Sequence, residues 1–202
     1  MGRVRIAIVN YGVGNLRSIQ GALLKVGAEP IVTRNHREIW DSDGIILPGV
    51  GAFKTAIENL DAEMIIDKIS SGSPVLGICL GLQLLFKSSE EGGFVRGLGV
   101  LEGSVRRLPS CIKLPHIGWN TLDVLRKSPL LDGVPDGAHF YFAHSFASFD
   151  TDSDYCYATS TYGGKFVSIA SQGNVFGTQF HPEKSGTVGL TLLKNYVRLA
   201  QV

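Results

Sequence analysis

Gly77-Ile78-Cys79-Leu80-Gly81 sets a cysteine between two glycines. It follows the apolar run 75–78 and precedes the apolar run 80–86, which starts like a helix. This is the G-x-S-x-G spacing of a nucleophile elbow, with sulfur in place of oxygen. A sharp strand-to-helix turn exposes the central side chain, and the flanking glycines let the chain fold tightly. The N-terminus of the following helix favours a thiolate. The competing reading is a small buried cysteine in a glycine-rich turn. The strand–turn–helix context favours the nucleophile.

A cysteine nucleophile needs a base, and the base an orienting carboxylate. His181-Pro182-Glu183 supplies both, directly after the strand-like run 175–180. Pro182 stiffens the link between them. On its own the tripeptide equally describes a solvated turn; with the elbow it gives Cys79, His181 and Glu183 the parts of a triad. A triad is defined by geometry rather than chain order. Pro48-Gly49-Val50-Gly51 follows another strand-like run and is either a plain βα turn or the source of an oxyanion donor. The N–H of Leu80 would be the first such donor and this loop the second. Val50 is unusual there, because a β-branched side chain resists positive φ.

Other segments carry weaker signals. Gly12-Val13-Gly14-Asn15-Leu16-Arg17 lacks the third glycine of a dinucleotide fingerprint, and a tight turn with Asn15 as helix cap fits better. No P-loop is present. Residues 115–120, Pro-His-Ile-Gly-Trp-Asn, read as a structured loop; Trp119 belongs either to the core or to a partner surface. His36 and His139 read as ordinary residues, Cys111 and Cys156 as structural.

The elements that must position these groups alternate in the N-terminal half. Strands are expected at 4–9, 30–33, 44–47 and 75–78. Helices are expected at 15–26, at 52–70 with a break near Leu60, and from 80. That order argues for a parallel sheet covered by helices on both faces. The C-terminal half reads as short strands at 100–108, 121–125, 139–142, 155–161, 166–171 and 175–180, with a hairpin turn at Gly163-Gly164. A final helix is expected over 186–200. The expected fold class is α/β: an open, largely parallel central sheet with an antiparallel extension, in one domain over 1–202.

Composition narrows the function. Nineteen Lys+Arg against 18 Asp+Glu leave a net charge of +1, which excludes nucleic-acid affinity driven by bulk charge. Three cysteines with no C-x-x-C argue against a disulfide framework or a cysteine zinc site. Neither a signal-peptide core nor a membrane span is apparent, so the expectation is a cytoplasmic protein without metal or cofactor.

Taken together, P-G-V-G, G-I-C-L-G-L-Q-L-L-F, P-H-I-G-W-N and Q-F-H-P-E-K-S resemble the class I, or triad, glutamine amidotransferases. Within them the chain is most similar to the glutaminase subunits of imidazole glycerol phosphate synthase. The resemblance spans essentially the whole chain. The elbow and H-P-E are common to many amidotransferases, whereas the P-G-V-G loop, 115–120 and the ending H-P-E-K-S are more specific.

The resemblance implies that Cys79 attacks the glutamine amide, His181 shuttles protons and Glu183 orients it. Val50 and Leu80 would form the oxyanion hole, and Gly49, Gly51, Gln83, Glu91, Ser145 and Phe146 would bind glutamine. Ser145-Phe146 stands where the family often has Thr-Tyr or Ser-Tyr. The implied partner is a (β/α)8-barrel cyclase subunit in a heterodimer, facing Gly12, Asn15, His116, Trp119, Asn120 and Lys184. Two alternatives remain at this point: an amidotransferase subunit of another synthase, and a non-catalytic binding module on the same fold.

Overall fold

The computed structural model describes residues 2–201; Met1 and Val202, the ends of the expected domain, lie outside the described residues. In chain order the elements are β1 (Arg5–Val9), α1 (Leu16–Lys25), β2 (Glu29–Thr33), α2 (His36–Trp40), β3 (Gly44–Leu47), α3 (Phe53–Asn59), α4 (Ala62–Ser70), β4 (Val75–Ile78) and α5 (Leu80–Leu85). There follow β5 (Phe86–Ser89), β6 (Val95–Arg96), β7 (Leu101–Arg107), β8 (His116–Thr121), β9 (Asp123–Val124), β10 (His139–His144), β11 (Phe146–Ser148), β12 (Cys156–Thr161), β13 (Lys165–Gln172), β14 (Val175–Thr178) and α6 (Gly186–Leu199).

The main sheet has the order β2-β1-β3-β4-β14-β13-β12-β9. Its first five strands run parallel, and β13, β12 and β9 add antiparallel to the edge. Successive side chains of a strand point to opposite faces, and β1 shows what that does. Ile6 and Ile8 pack with Ile19 and Leu23 of α1 and Leu192 and Tyr196 of α6. Ala7 and Val9 pack on the other face with Ile39, Phe53, Ile65 and Leu82, from α2, α3, α4 and α5. A near-continuous apolar strand is thus the consequence of two cores, one on each face.

β14 joins the parallel block directly beside β4, with Ile78 opposite Thr178. The end of the cysteine strand and the end of the histidine strand are therefore neighbours. A second, four-stranded sheet has the order β11-β7-β5-β6, and β8 pairs with β10.

Several expectations need correction. Residues 115–120 are not a loop: β8 starts at His116 and pairs antiparallel with β10. The expected strand 121–125 is the end of β8 plus the short β9. α2, β5 and β6 had no periodic signal because each is only two to five residues long. Asn15 occupies the N-cap position of α1, but its side chain makes no capping bond.

Candidate active site

The elbow is built by close packing of backbone against backbone. Cys79 lies at φ 53°, ψ −105°, the one non-glycine residue with positive φ among those described. Such a conformation costs about 1–3 kcal/mol and persists only where surrounding structure enforces it. The enforcement is visible in the glycines. A Cβ on Gly81 would sit 1.9 Å from the Leu47 carbonyl oxygen, and one on Gly77 would sit 2.6 Å from the Gly81 backbone. A Cβ on Gly49 would meet Leu80 at 2.3 Å, so the Pro48–Gly51 loop and the elbow touch. The Cys79 N–H donates to Thr178 O at 2.7 Å, which ties the nucleophile to the end of β14.

His181 follows that strand. Its backbone N–H donates to Tyr141 O at 2.9 Å, and the Ser185 hydroxyl donates to its carbonyl at 2.6 Å. Nδ1 lies 2.9 Å from Glu183 Oε1, with both side chains almost completely buried. Nε2 closes no hydrogen bond in this geometry. The nearby sulfur instead contacts Gln179 Nε2 at 3.6 Å and Ala143 O at 3.8 Å. Burial alone would push the imidazole down. The nearby Cys79 sulfur and then Glu183 outweigh it and raise His181 to about 10. The arrangement favours a charged imidazole beside the Cys79 sulfur.

Cys79 opens on a cavity of about 190 Å³. Its lining brings together Gly49, Val50, Gly51, Leu80, Gln83, Glu91, Ser145 and Phe146, all singled out above, and adds Pro115, Ala143 and His144. Gln83 Nε2 donates to Phe146 O at 2.8 Å and to Gln179 Oε1 at 3.2 Å, fixing the wall opposite the elbow. Glu91 accepts from the Phe53 N–H at 2.9 Å, at the start of α3. Val50 remains half exposed. Larger hollows, about 410 and 460 Å³, are lined by residues remote from this chemistry. Among the described residues no three His, Cys, Asp or Glu side chains group as a metal site.

The residues expected at a partner surface divide. Gly12 and Asn15 are exposed, as is Trp119 on the outer side of β8 together with Ile117. Trp119 meets the Tyr141 ring edge-on at 6.1 Å, and Lys184 Nζ lies 5.7 Å from the same ring. Asn120 is half buried. His116 points inward, buried and stacked on Tyr162 with centroids 4.0 Å apart.

Gln179, His144 and Tyr11 escaped sequence reasoning. Gln179 sits two residues before His181, a spacing that on neighbouring strand ends turns it to the sulfur. The Tyr11 hydroxyl is buried, donates to Pro48 O, and is held well above its ordinary range by burial and then by Cys79.

A strained cysteine at a strand–helix turn, a buried histidine–carboxylate pair just beyond the end of the adjacent strand and an open pocket together make an arrangement on an α/β sheet that can perform nucleophilic acyl transfer. The class-I glutamine amidotransferase family model matches residues 7–199, and the chain belongs to that family. Among curated relatives it is 50% identical over 198 residues to the imidazole glycerol phosphate synthase subunit HisH of Methanosarcina barkeri, covering 96% of this chain and 98% of that protein. It is 47% identical to the subunit HisH of Bacillus cytotoxicus, covering 95% and 93%. In fold, it matches a chain of the PurLQS structure from Thermotoga maritima with TM-score 0.80 at 23% identity, covering 98% and 99%.

Proposed function

We propose that this chain is the glutaminase subunit of an imidazole glycerol phosphate synthase in histidine biosynthesis. It hydrolyses glutamine to glutamate and ammonia and passes the ammonia to a second subunit. The observation that carries this reading is the positive-φ cysteine beside a buried His–Glu pair, in a chain 47–50% identical to HisH subunits over nearly its full length.

Cys79 reacts as the thiolate, with its proton on His181. The sulfur attacks the side-chain carboxamide carbon of glutamine, and the negative charge that develops on oxygen is met by the N–H groups of Leu80 and Val50. His181 returns the proton to the departing nitrogen, ammonia leaves, and a γ-glutamyl thioester remains on Cys79. A water, deprotonated by His181, attacks the thioester; glutamate leaves and the sulfur is restored. Glu183 holds His181 through Nδ1 and balances its positive charge. Gly49, Gly51, Gln83, Glu91, Ser145 and Phe146 enclose the substrate. No cofactor enters any step.

The partner is a (β/α)8-barrel cyclase that consumes the ammonia, giving imidazole glycerol phosphate and an aminoimidazole carboxamide ribotide. It docks over Gly12, Asn15, Trp119, Asn120 and Lys184, in the cytoplasm. Exposed aromatic and aliphatic side chains on β8 support this face, since large apolar groups mark partner surfaces. Glutaminase activity measured with and without the cyclase and its nucleotide substrate tests the assignment. Activity that rises in the full mixture, with labelling of Cys79 by a glutamine-mimicking electrophile, supports it. A chain that neither hydrolyses glutamine nor takes the label in the complex is not this enzyme.

A further inference from the structure

Between the β8 surface and the pocket lies a polar line that the reaction above leaves unused. β8 and β10 pair so that His116 and His144 stand directly opposite each other. Both are buried, among the rings of Phe142, Tyr162 and Phe166. We propose that His116 and His144 form a one-way hydrogen-bond relay from Asn120 to the Phe146 carbonyl in the pocket wall, and that the relay positions the pocket for glutamine. The inference rests on the glutaminase reading.

The direction follows from which atoms can donate. Asn120 Oδ1 accepts the Thr121 N–H at 2.8 Å, which fixes the amide, and Nδ2 donates to Thr161 O at 3.0 Å. Nδ2 also lies 3.4 Å from His116 Nε2. An amide nitrogen only donates, so His116 Nε2 must accept. A neutral imidazole has one donor and one acceptor, so His116 Nδ1–H donates to His144 Nε2, 3.1 Å away. His144 Nδ1–H then donates to Phe146 O at 3.0 Å. The line closes with no two donors facing each other. Phe146 O also takes Gln83 Nε2 at 2.8 Å, so both of its lone pairs are engaged. The peptide that forms this side of the cavity is thereby held in one orientation.

The relay works only with neutral rings, because a second proton on either would set donor against donor. Burial supplies this condition. It lowers His116 to about 4, and burial together with His116 lowers His144 to about 3. Two apolar rings would fill the same space without the line, so a purely packing role makes different predictions.

The experiment uses the complex with the cyclase and its nucleotide, and compares KM for glutamine with kcat. His144→Phe keeps a ring but removes the donor to Phe146 O. KM is expected to rise about ten-fold, the worth of one hydrogen bond, with kcat nearly unchanged. Ammonium-driven synthesis is expected to stay at the wild-type rate. His144→Asn retains an amide donor near the Nδ1 position and should recover most of the lost affinity. Tautomers of the full-length chain, read by ¹⁵N NMR, give a second arm independent of catalysis. Both rings should carry hydrogen on Nδ1 in the wild type. Asn120→Asp, which offers only acceptors, should move the His116 proton to Nε2. Wild-type KM in His144→Phe overturns the relay. So does hydrogen on Nε2 of either ring in the wild type, which decides the matter even if His144→Phe fails to fold. Absence of glutaminase in the wild-type complex would instead sink the enzymatic reading, while the tautomers would still report on the line.

Discussion

The two sides of the cleft around Cys79 are made differently. On one side Cys79, His181 and Glu183 stand at the ends of adjacent parallel strands, buried, with glycines at 77 and 81 filled to contact by backbone. On the other side the loop Pro48–Gly51 carries a half-exposed Val50, and outside the cavity β8 presents Ile117 and Trp119 outward. Bond-making groups are thus fixed by the core. The groups proposed to stabilise charge or meet a partner, Val50 and Trp119, are exposed to another molecule. On the proposed reading, preorganisation and regulation need not compete, since each occupies its own region of the chain.

Cys79→Ala removes the most from the fixed side. Glutamine-dependent synthesis should fall to background, a loss of about 10⁶-fold by analogy with other covalent nucleophiles. Synthesis from an added ammonium salt should persist, because free ammonia bypasses the thioester. Residual glutamine-dependent turnover well above background would remove Cys79 from the chemistry.

Glu183→Gln comes next, with an expected loss of about 10³–10⁴-fold in kcat, since the imidazole loses its orienting charge. The same variant has a pH signature. His181 is raised from 6.5 to about 10 in the folded chain. The proton-linked stability from this group is therefore fully present below about 6.5 and lost as pH rises through about 10. Without the carboxylate one upward influence is gone, and the fall should shift to lower pH. Denaturant midpoints across that range check it; identical profiles would mean that Glu183 does not hold the charge.

The fixed side was the legible one. Gly77, Cys79 and Gly81 announce the elbow because the constraint is local: a turn too tight for any side chain leaves glycine in the sequence. His181 and Glu183 are legible because their contact is also local, made between side chains two residues apart. The adjacency of β4 and β14, by contrast, joins residues about a hundred positions apart, and no periodicity encodes it. The surface side was harder still. Residues 115–120 contain Pro115 and Gly118, which read as loop, yet pairing with β10 overrides that local preference. For that reason His116 was expected outward and lies inward, and its partner His144 passed unnoticed.

Trp119→Ala probes the exposed side. Trp119 is 58% exposed in this chain, so its removal should barely change the melting temperature. An aromatic anchor at a partner surface is worth about 2 kcal/mol, or roughly 30-fold in Kd. Titration of the cyclase subunit by calorimetry measures it. A large drop in melting temperature with unchanged affinity would return Trp119 to the fold and blur the contrast between the two regions.

The smallest expected effect tests the comparison most directly. If the loop wall is the adjustable one, the isolated chain should hold its second oxyanion donor out of place, and the loaded partner should shift that population. Gly49 lets the Gly49–Val50 peptide face either way, although its close contact with Leu80 and Gly81 leaves no room for a side chain there. Val50 then sets the balance, because a β-branched residue makes the turned arrangement costly by about 1 kcal/mol, the low end for backbone strain. Val50→Gly removes that cost while leaving the peptide in place. Basal glutaminase of the isolated chain should rise about five-fold, the equivalent of that energy, and stimulation by the cyclase with its nucleotide should shrink by the same factor. The fully stimulated rate should not change, because the triad is untouched. A wild-type chain that already works alone at its stimulated rate would show both walls to be equally fixed.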